Sequence, residues 1–519
     1  MTRRTRSRGM VALVLLVSVA LLGAAAGAAD AVSPEGQLTW GVHISLAPTW
    51  FDPAETPGPI TPFMVLYALH DALVKPMPGN PMAPSLAESW TVSQDATTYD
   101  FVLRKGVRFH NGELVTAEDV KFSFERYRGT AAKTLKELVA AVETPDPGRV
   151  RFRLKKPWPD FMTFYATPAT GAAWIVPKKY IEKVGDDGFK RAPVGAGPYR
   201  FVSFKPGVEL VLEAHDQYWR KIPSVKKLVF RSIPDESTRL AALKRGEVDI
   251  AYGYTSVLAE ELQRTPGLTL KPTHVVFTVW LLFTEQWDAK SPWADKRVRL
   301  AANLAIDRNA INQATFLGHG KSAASFIPRA LEYFWAPPPY PYDLNRARQL
   351  LAEAGYPNGF DAGELYGDLV YGPAIGEPVV NYLQVAGIRL RLRPLERATF
   401  FKQYGEKKLK GVVLSQSAQL GNAAARIDAY VVPGGTYVYG TYPGVQGLFA
   451  EQANERNLRV RQQILDKIQQ IVHEQVMFAP VLEPPFLNGV GPRVGFDGLN
   501  AIASHAYSAP YEDLRLKAR

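Results

Sequence analysis

The clearest pattern of apolar and polar positions along the chain lies between residues 90 and 127. In the first half of this stretch every second residue is large and apolar, namely Tyr99, Phe101 and Leu103. Side chains that alternate in this way share one face of a strand, so the pattern predicts a β-strand with one buried face. Gly106 interrupts the run, and residues 107–110 are predicted to return as the second strand of a hairpin.

The second half of the stretch has the signals of a helix. Thr116 stands three residues before Asp119, an arrangement that satisfies unpaired amides at a helix start and places a carboxylate near the positive end of the helix dipole. Val120, Phe124 and Tyr127 then recur at helical spacing. This part is therefore predicted to be an amphipathic helix.

The same patterns place further elements along the chain. Predicted strands lie at 38–44, 149–154, 199–204, 208–213, 228–233, 248–252, 388–395 and 412–414. Predicted helices lie at 64–73, 236–244, 293–316, 344–354, 399–409 and 458–476. Strands and helices alternate through most of the chain, which predicts an α/β fold.

The first 28 residues read as a secretory signal peptide. Four arginines without an acid precede a 13-residue, mostly apolar run from Met10 to Leu22, and small residues follow to Ala29. A membrane-spanning helix needs roughly 20 residues, so a retained anchor is the weaker interpretation. Mature residues would therefore begin near position 29.

Composition excludes several classes of function. The 519-residue chain has no cysteine, which excludes disulfides, thiolate metal sites, a cysteine nucleophile and a lipid-anchored cysteine. Without the four leader arginines, 57 basic residues face 50 acidic ones, with no basic run dense enough to bind nucleic acid. A chain of this length exceeds what one hydrophobic core usually organises, so at least two domains are expected.

Known catalytic and metal-binding motifs are missing. The stretch from Gly318 to Ser322 resembles the end of a phosphate-binding loop, but Thr315 replaces its first glycine. No pair among the eight histidines has metal-ligand spacing, and there is no Gly-x-Ser-x-Gly elbow. The sequence therefore predicts neither an enzyme nor a cofactor or metal site.

The amino-acid sequence from Trp90 to Tyr127 resembles the signature of one family. It reads WTVSQDATTYDFVLRKGVRFHNGELVTAEDVKFSFERY, and the phrases LKRGEVDIA at 243–251 and AIDR at 305–308 match the same family. That family is the extracytoplasmic solute-binding proteins of ABC importers, in the cluster that binds peptides, nickel complexes, opines and other solutes. The match covers almost forty consecutive residues of the signature.

The resemblance implies a fold of the type II periplasmic binding protein kind. Two α/β lobes would enclose a cleft and close about a hinge, with a small antiparallel domain added. We expect the following division: signal peptide 1–28, lobe I 29–77, small domain 78–193, lobe I again 194–272, lobe II 273–477, and a return to lobe I at 478–519.

The resemblance also implies the function. The chain would be a periplasmic, monomeric protein that captures a small solute and delivers it to ABC permease subunits in the inner membrane. Two other classes stay open: a periplasmic receptor or chaperone that uses the same cleft, and an extracytoplasmic hydrolase, which the missing nucleophile disfavours.

The family's peptide-binding members hold the substrate's amino group with an aspartate in a Gly-Trp-x-x-Asp-x-x-Asp-Pro stretch. The matching segment, 415–423, reads SQSAQLGNA and has no aspartate. Dipeptide-binding members also carry an arginine near the position where Tyr366, Gly367 and Asp368 stand here. A zwitterionic peptide is therefore expected to bind poorly, although a peptide-binding importer component remains the alternative.

Amide and hydroxyl side chains suit a polyhydroxylated solute, arginine suits an acidic one, and aromatic rings supply flat walls. The loop after the first strand faces the cleft in the family, which adds two positions. The candidate ligand-binding residues are Trp50, Thr56, Trp280, Gln416, Ser417, Gln419, Asn422, Arg426 and Tyr437.

Overall fold

The computed structural model describes residues 33–55, 63–166, 170–369, 372–418, 421–503 and 505–518. The predicted signal peptide and two candidate site residues, Thr56 and Gln419, lie outside these ranges. No helix within the ranges is long and apolar enough to cross a lipid bilayer.

The strands, in chain order, are β1 (Glu35–Val42), β2 (Asp71–Ala72), β3 (Val74–Met77), β4 (Asn80–Pro84), β5 (Ala87–Val92), β6 (Thr98–Leu103), β7 (Val139–Asp146), β8 (Arg149–Leu154), β9 (Trp174–Ile175), β10 (Tyr199–Lys205), β11 (Glu209–Ala214), β12 (Val225–Ser232), β13 (Ile250–Ala251), β14 (Thr269–His274), β15 (Phe277–Phe283), β16 (Lys321–Ser322), β17 (Phe360–Asp368), β18 (Ile388–Leu395), β19 (Val412–Ala418), β20 (Phe478–Glu483), β21 (Pro485–Val490), β22 (Val494–Phe496) and β23 (Arg515–Leu516).

The α-helices are α1 (Phe63–Leu69), α2 (Ala117–Arg126), α3 (Ala132–Leu138), α4 (Phe161–Tyr165), α5 (Lys178–Arg191), α6 (Glu236–Lys244), α7 (Ser256–Arg264), α8 (Lys296–Ala305), α9 (Arg308–Phe316), α10 (Leu344–Glu353), α11 (Glu377–Ala386), α12 (Arg397–Gly405), α13 (Ala423–Tyr430), α14 (Val445–Asn454) and α15 (Leu458–Glu474).

Three sheets organise the fold. Lobe I is built on a seven-stranded sheet with the order β10-β11-β12-β1-β13-β21-β14, and lobe II on a six-stranded sheet with the order β16-β20-β15-β19-β17-β18. A four-stranded antiparallel sheet, β5-β6-β8-β7, together with helices α2 to α5 forms a third part, here called the small unit. The predicted α/β class is confirmed.

The small unit contains the stretch that the sequence analysis started from. The predicted alternation in β6 is confirmed, because Tyr99, Phe101 and Leu103 are buried while their neighbours are half-exposed. Helix α2 is also confirmed, and the Asp119 carboxylate accepts hydrogen bonds from the Thr116 amide at 2.9 Å and from its hydroxyl at 2.7 Å.

The predicted hairpin with residues 107–110 is wrong. β6 pairs instead with β5 and β8, and the 107–110 segment contributes only an isolated bridge between Arg108 and Leu114. β8 begins about fifty positions after β6 and pairs with it. A local sequence pattern does not reveal a pairing between strands that lie so far apart in the chain.

Lobe I confirms the predicted strand-helix-strand unit. β12, α6 and β13 follow one another, and β1 lies between the two strands and runs parallel to both. The Asp235 carboxylate begins α6 by accepting from the Thr238 amide at 2.7 Å. Gly195 and Gly197 allow the chain to pass against the backbone of α1, because a Cβ at either position would overlap the Leu69 backbone.

Lobe II differs from the prediction at three places. The expected helix over 293–316 is two helices, because Asp307 interrupts it and caps α9 by accepting from the Ala310 amide at 2.9 Å. β17 was not predicted, and it lies between β18 and β19 and parallel to both. β20 pairs with β15 in lobe II, so the chain re-enters the lobe I sheet only at β21 rather than at residue 478.

The carboxyl-terminal segment packs against lobe I and forms hydrogen bonds with it. The Trp40 indole Nε1 donates to Ser508 Oγ at 3.2 Å, and the Tyr511 hydroxyl donates to the Met64 carbonyl at 2.6 Å. His505 lies in the same segment, 4% exposed, with its ring centroid 4.9 Å from that of Tyr67. Burial lowers the pKa of His505 from 6.5 to about 3.

Acidification is expected to destabilise the protein through His505. The unfolded chain takes up this proton near the ordinary pKa of 6.5 and the folded protein only near 3, so stability falls as the pH falls below 6.5. At about pH 5 this group alone costs roughly 2 kcal/mol relative to neutral pH. Thermal melts at the two pH values should show a smaller pH-dependent loss for His505→Gln than for the wild type. Equal losses would contradict the assignment.

Candidate functional site

Two crossings of the chain between the large sheets define a gap. The chain passes from β14 at His274 to β15 at Phe277, and back from β20 at Glu483 to β21 at Pro485. Phe277 pairs with Ala418, the last residue of β19. The carboxyl end of β19, with those of the parallel strands β17 and β18, therefore lies at the edge of lobe II that faces lobe I.

The opposite edge belongs to lobe I. β14 and β13 are both antiparallel to β21, and β1 is parallel to β13, so the carboxyl ends of β1, β13 and β14 also lie beside the crossings. In open α/β sheets, ligands bind in the crevice outside the carboxyl ends of the strands. The gap between these two edges is therefore the candidate binding cleft.

A charged group marks the lobe II edge, and we call it the edge cluster: Asp368, Arg397 and Gln416. Asp368 ends β17 and is 1% exposed, and its Oδ2 accepts from Arg397 Nη1 at 2.6 Å. The same oxygen accepts a short hydrogen bond from Gln416 Nε2 of β19. Asp368 and Gln416 thus come from the adjacent parallel strands β17 and β19, and Arg397 begins α12, separated from the end of β18 by Glu396.

Arg397 is the accessible member of the edge cluster. Its side chain is 50% exposed, and its guanidinium carbon lies 5.2 Å from the centroid of the Phe401 ring. The Asp368 carboxylate and the Phe401 ring fix the orientation of the guanidinium, whose solvent-facing N–H groups can donate to a carboxylate or hydroxyl. Gln416 Oε1 is buried and accepts no hydrogen bond from the described residues.

Two residues that follow β19 in the chain, Asn422 and Arg426, are buried near the carboxyl end of that strand. Asn422 is fully buried and caps α13, with Oδ1 accepting from the Ala425 amide at 3.3 Å. Arg426 is 2% exposed, and its Nη2 donates to the Ser417 carbonyl at 3.0 Å. Burial lowers the pKa of Arg426 to about 10, an effect that the nearby Tyr430 hydroxyl partly offsets.

The predicted aromatic walls lie in different environments. Trp280 is fully buried in the lobe II core, with its ring 5.0 Å from that of Tyr430, so its ring is inside the lobe rather than on a wall. Tyr437 is half-buried and stacks on Tyr404 at 4.6 Å. Trp50 follows β1 on the lobe I side and is half-buried against the core.

Two members of the edge cluster, Asp368 and Arg397, were not among the predicted site residues. The sequence carries little signal for them: β17 ends in the acidic Asp368, but β18 is followed by the acidic Glu396 before the basic Arg397. Without β17 in the predicted sheet, nothing indicated that these positions meet. Among the described residues, no group of three or more histidine, aspartate or glutamate side chains is arranged to hold a metal ion.

A family profile matches residues 81–437, and its description is bacterial extracellular solute-binding proteins, family 5 Middle. The chain belongs to this family. The resemblance inferred from residues 90–127 is thereby confirmed. Family 5 proteins bind solutes and deliver them to ABC permeases, so the chain is a transport binding protein and not an enzyme.

Two relatives are similar to the chain in sequence, and one solved structure is similar to it in fold. Heme-binding protein A of Haemophilus influenzae is 29% identical over 455 residues, which cover 79% of this chain and 80% of that protein. Glutathione-binding protein GsiB of Escherichia coli O157:H7 is 33% identical over 281 residues, about half (53%) of either chain. The structure of NikA from Brucella suis with Fe(III)-EDTA superposes with a TM-score of 0.81 at 22% identity, over 93% of this chain and 100% of that one.

The edge cluster is expected to act as one energetic unit. A double-mutant cycle of Asp368→Asn and Arg397→Ala, measured by urea unfolding, should give a coupling free energy of about 1–2 kcal/mol, because Asp368 is buried. The matched control is the pair Glu364 of β17 and Arg393 of β18, 2.9 Å apart but with side chains 29% and 57% exposed. Its coupling should stay below about 1 kcal/mol. Equal couplings would refute a special role for the cluster.

Proposed function

We propose that the chain is the periplasmic binding component of an ABC importer whose solute is acidic or polyhydroxylated rather than an ordinary zwitterionic peptide. The observation that carries the proposal is the edge cluster, which offers a half-exposed arginine at the cleft and a carboxylate that already has partners.

The charge balance of the edge cluster disfavours a peptide's ammonium group. Asp368 accepts from both Arg397 and Gln416, and Gln416 belongs to the segment that matches the amine-holding stretch of peptide-binding members. An ammonium group would have to compete with a guanidinium for the same oxygen. A carboxylate on the solute meets the opposite situation, because Arg397 can grip it with its solvent-facing N–H groups.

The relatives support an acidic solute. Heme and glutathione, the ligands in the names of two of them, both carry carboxylate groups. The peptide alternative stays open, because glutathione is also a peptide. The half-buried Tyr437 ring suits a flat or apolar part of either kind of solute.

Arg426 and Asn422 take a supporting role in this proposal. Arg426 donates to the Ser417 carbonyl near the end of β19, and Asn422 caps the start of α13. Closing of the lobes around the solute would bring the lobe I edge, with Trp50, against the edge cluster, and the closed form would then be presented to the permease.

Export provides the first test of the proposal. The mature protein is expected to lack about the first 28 residues and to occur as a soluble monomer in the periplasm, because the basic, apolar and small-residue segments follow in the order of a signal peptide. Amino-terminal sequencing of the exported protein measures this. An intact Met1 or a membrane-bound product would contradict it.

Solute selectivity provides the second test. The hydroxylated diacid glucarate or its unhydroxylated analogue adipate should raise the melting temperature, since a ligand of the folded state stabilises it by mass action, while trialanine should not. Arg397→Ala should weaken binding of the acidic probe by about 2 kcal/mol in calorimetric titrations, because it removes a charge-assisted contact.

Two further variants serve as controls for that test. Arg393→Ala removes an exposed arginine from β18, the strand before Arg397, and should bind the acidic probe like the wild type. Arg426→Ala should lower the melting temperature of the free protein as well as the affinity, because the guanidinium is buried. Binding of trialanine as tight as that of the acidic probes, or full binding by Arg397→Ala, would refute the proposal.

A further inference from the structure

The small unit touches lobe II through a buried ion pair. Asp160, at the start of α4, accepts two hydrogen bonds from Arg461 of α15, with Nη1–Oδ1 and Nη2–Oδ2 distances of 2.6 Å each. Arg461 is 1% exposed and Asp160 8%. The two residues are separated by 301 positions in the sequence and belong to different parts of the fold.

Further contacts surround this ion pair. The Asn422 Nδ2 amide donates to Asp160 Oδ1 at 2.7 Å, so the residue that caps α13 also holds the small unit. Gly421 lets α4 approach, because a Cβ there would lie 2.9 Å from the Phe164 ring. Arg461 is braced within lobe II by Gln452 Oε1 at 3.0 Å and by the Tyr333 ring, 4.9 Å from its guanidinium carbon.

The small unit is tied much more closely to lobe I. Arg126 of α2 forms a bidentate pair with Asp52, which follows β1, and His110 Nε2 lies 3.0 Å from the Gly197 carbonyl oxygen. The rings of Tyr67 and Trp174 pack at 5.1 Å across the same boundary. Hinge motion between the lobes would therefore carry the small unit with lobe I and separate Asp160 from Arg461.

We propose that Asp160 and Arg461 form a latch that holds the cleft closed and that Asp160 is a positioning residue for Asn422 at the start of α13. In this structure the pair is desolvated, and the Asn422 amide donates to Asp160, which fixes the start of α13. When the lobes part, water can solvate both charges. A buried ion pair is close to balanced against its desolvation, so the latch biases closure rather than locking it.

The latch can be tested without any solute, so the outcome does not depend on which solute the cleft takes. The chain has no cysteine, and Lys133→Cys in α3 and Glu451→Cys in α14 place two unique spin labels on exposed positions of the small unit and lobe II. Pulsed electron spin resonance on the full chain then gives the distribution of distances between the labels. The wild type should contain a population at the separation of this structure.

Three variants should deplete that population at least threefold. Asp160→Asn and Arg461→Gln each break the ion pair. Asn422→Asp retains an oxygen that can cap α13 but turns a carboxylate toward Asp160, so the helix is kept while the latch is opposed. The double variant of Asp160→Asn and Arg461→Gln should deplete this population less than either single variant, because it leaves no unpaired buried charge.

The control is Asp100→Asn, which breaks the 2.8 Å pair between Asp100 and Arg151 inside the small unit and should leave the distances unchanged. Circular dichroism identifies any variant that fails to fold, and Asn422→Asp then decides. An unchanged distribution in the folded variants would overturn the proposal. So would a wild type without the short distance, or an equal shift in Asp100→Asn.

Discussion

The two crossings between the large sheets are the constraint on which the rest of the structure depends. Because the chain leaves lobe I at the carboxyl end of β14 and enters lobe II beside the carboxyl end of β19, both sheets present the same kind of edge to one gap. Side chains that end parallel strands in either lobe then meet in that gap without any local sequence relation. The edge cluster is the direct result on the lobe II side.

Local patterns in the sequence predicted the elements that depend on local physics. The alternation in β6 and the Thr116–Asp119 cap each need only neighbouring residues, and each is confirmed. The break between α8 and α9 was missed because an apolar face continues across it, although Asp307 is a good cap for a second helix. Residues 107–110 were misassigned because the partner of β6 is a distant strand.

The site was harder to predict than the fold, for a physical reason. The segment 415–423 was recognised through its family resemblance, and Gln416 does lie at the cleft edge. Its partner Asp368 comes from a strand 48 positions earlier that carries few large apolar residues. Trp280 was predicted to line the cleft but is fully buried in the core. Residue type alone does not distinguish a buried ring from a ring on a cleft wall. Contacts between lobes, such as that of Asp160 with Arg461, leave no local pattern at all.

Charge arrangement rather than shape distinguishes this cleft in our account. Asp368 is buried and already accepts hydrogen bonds from Arg397 and Gln416. Arg397 is held by Asp368 and is half-exposed, whereas Arg426 is buried beside Ser417 of β19. A crystal structure with the acidic probe that raises the melting temperature most tests this account directly. It predicts a carboxylate of the probe within hydrogen-bond distance of the Arg397 guanidinium, between the two sheet edges. A probe bound outside that gap, or with an ammonium group on Asp368 in place of Arg397, would contradict it.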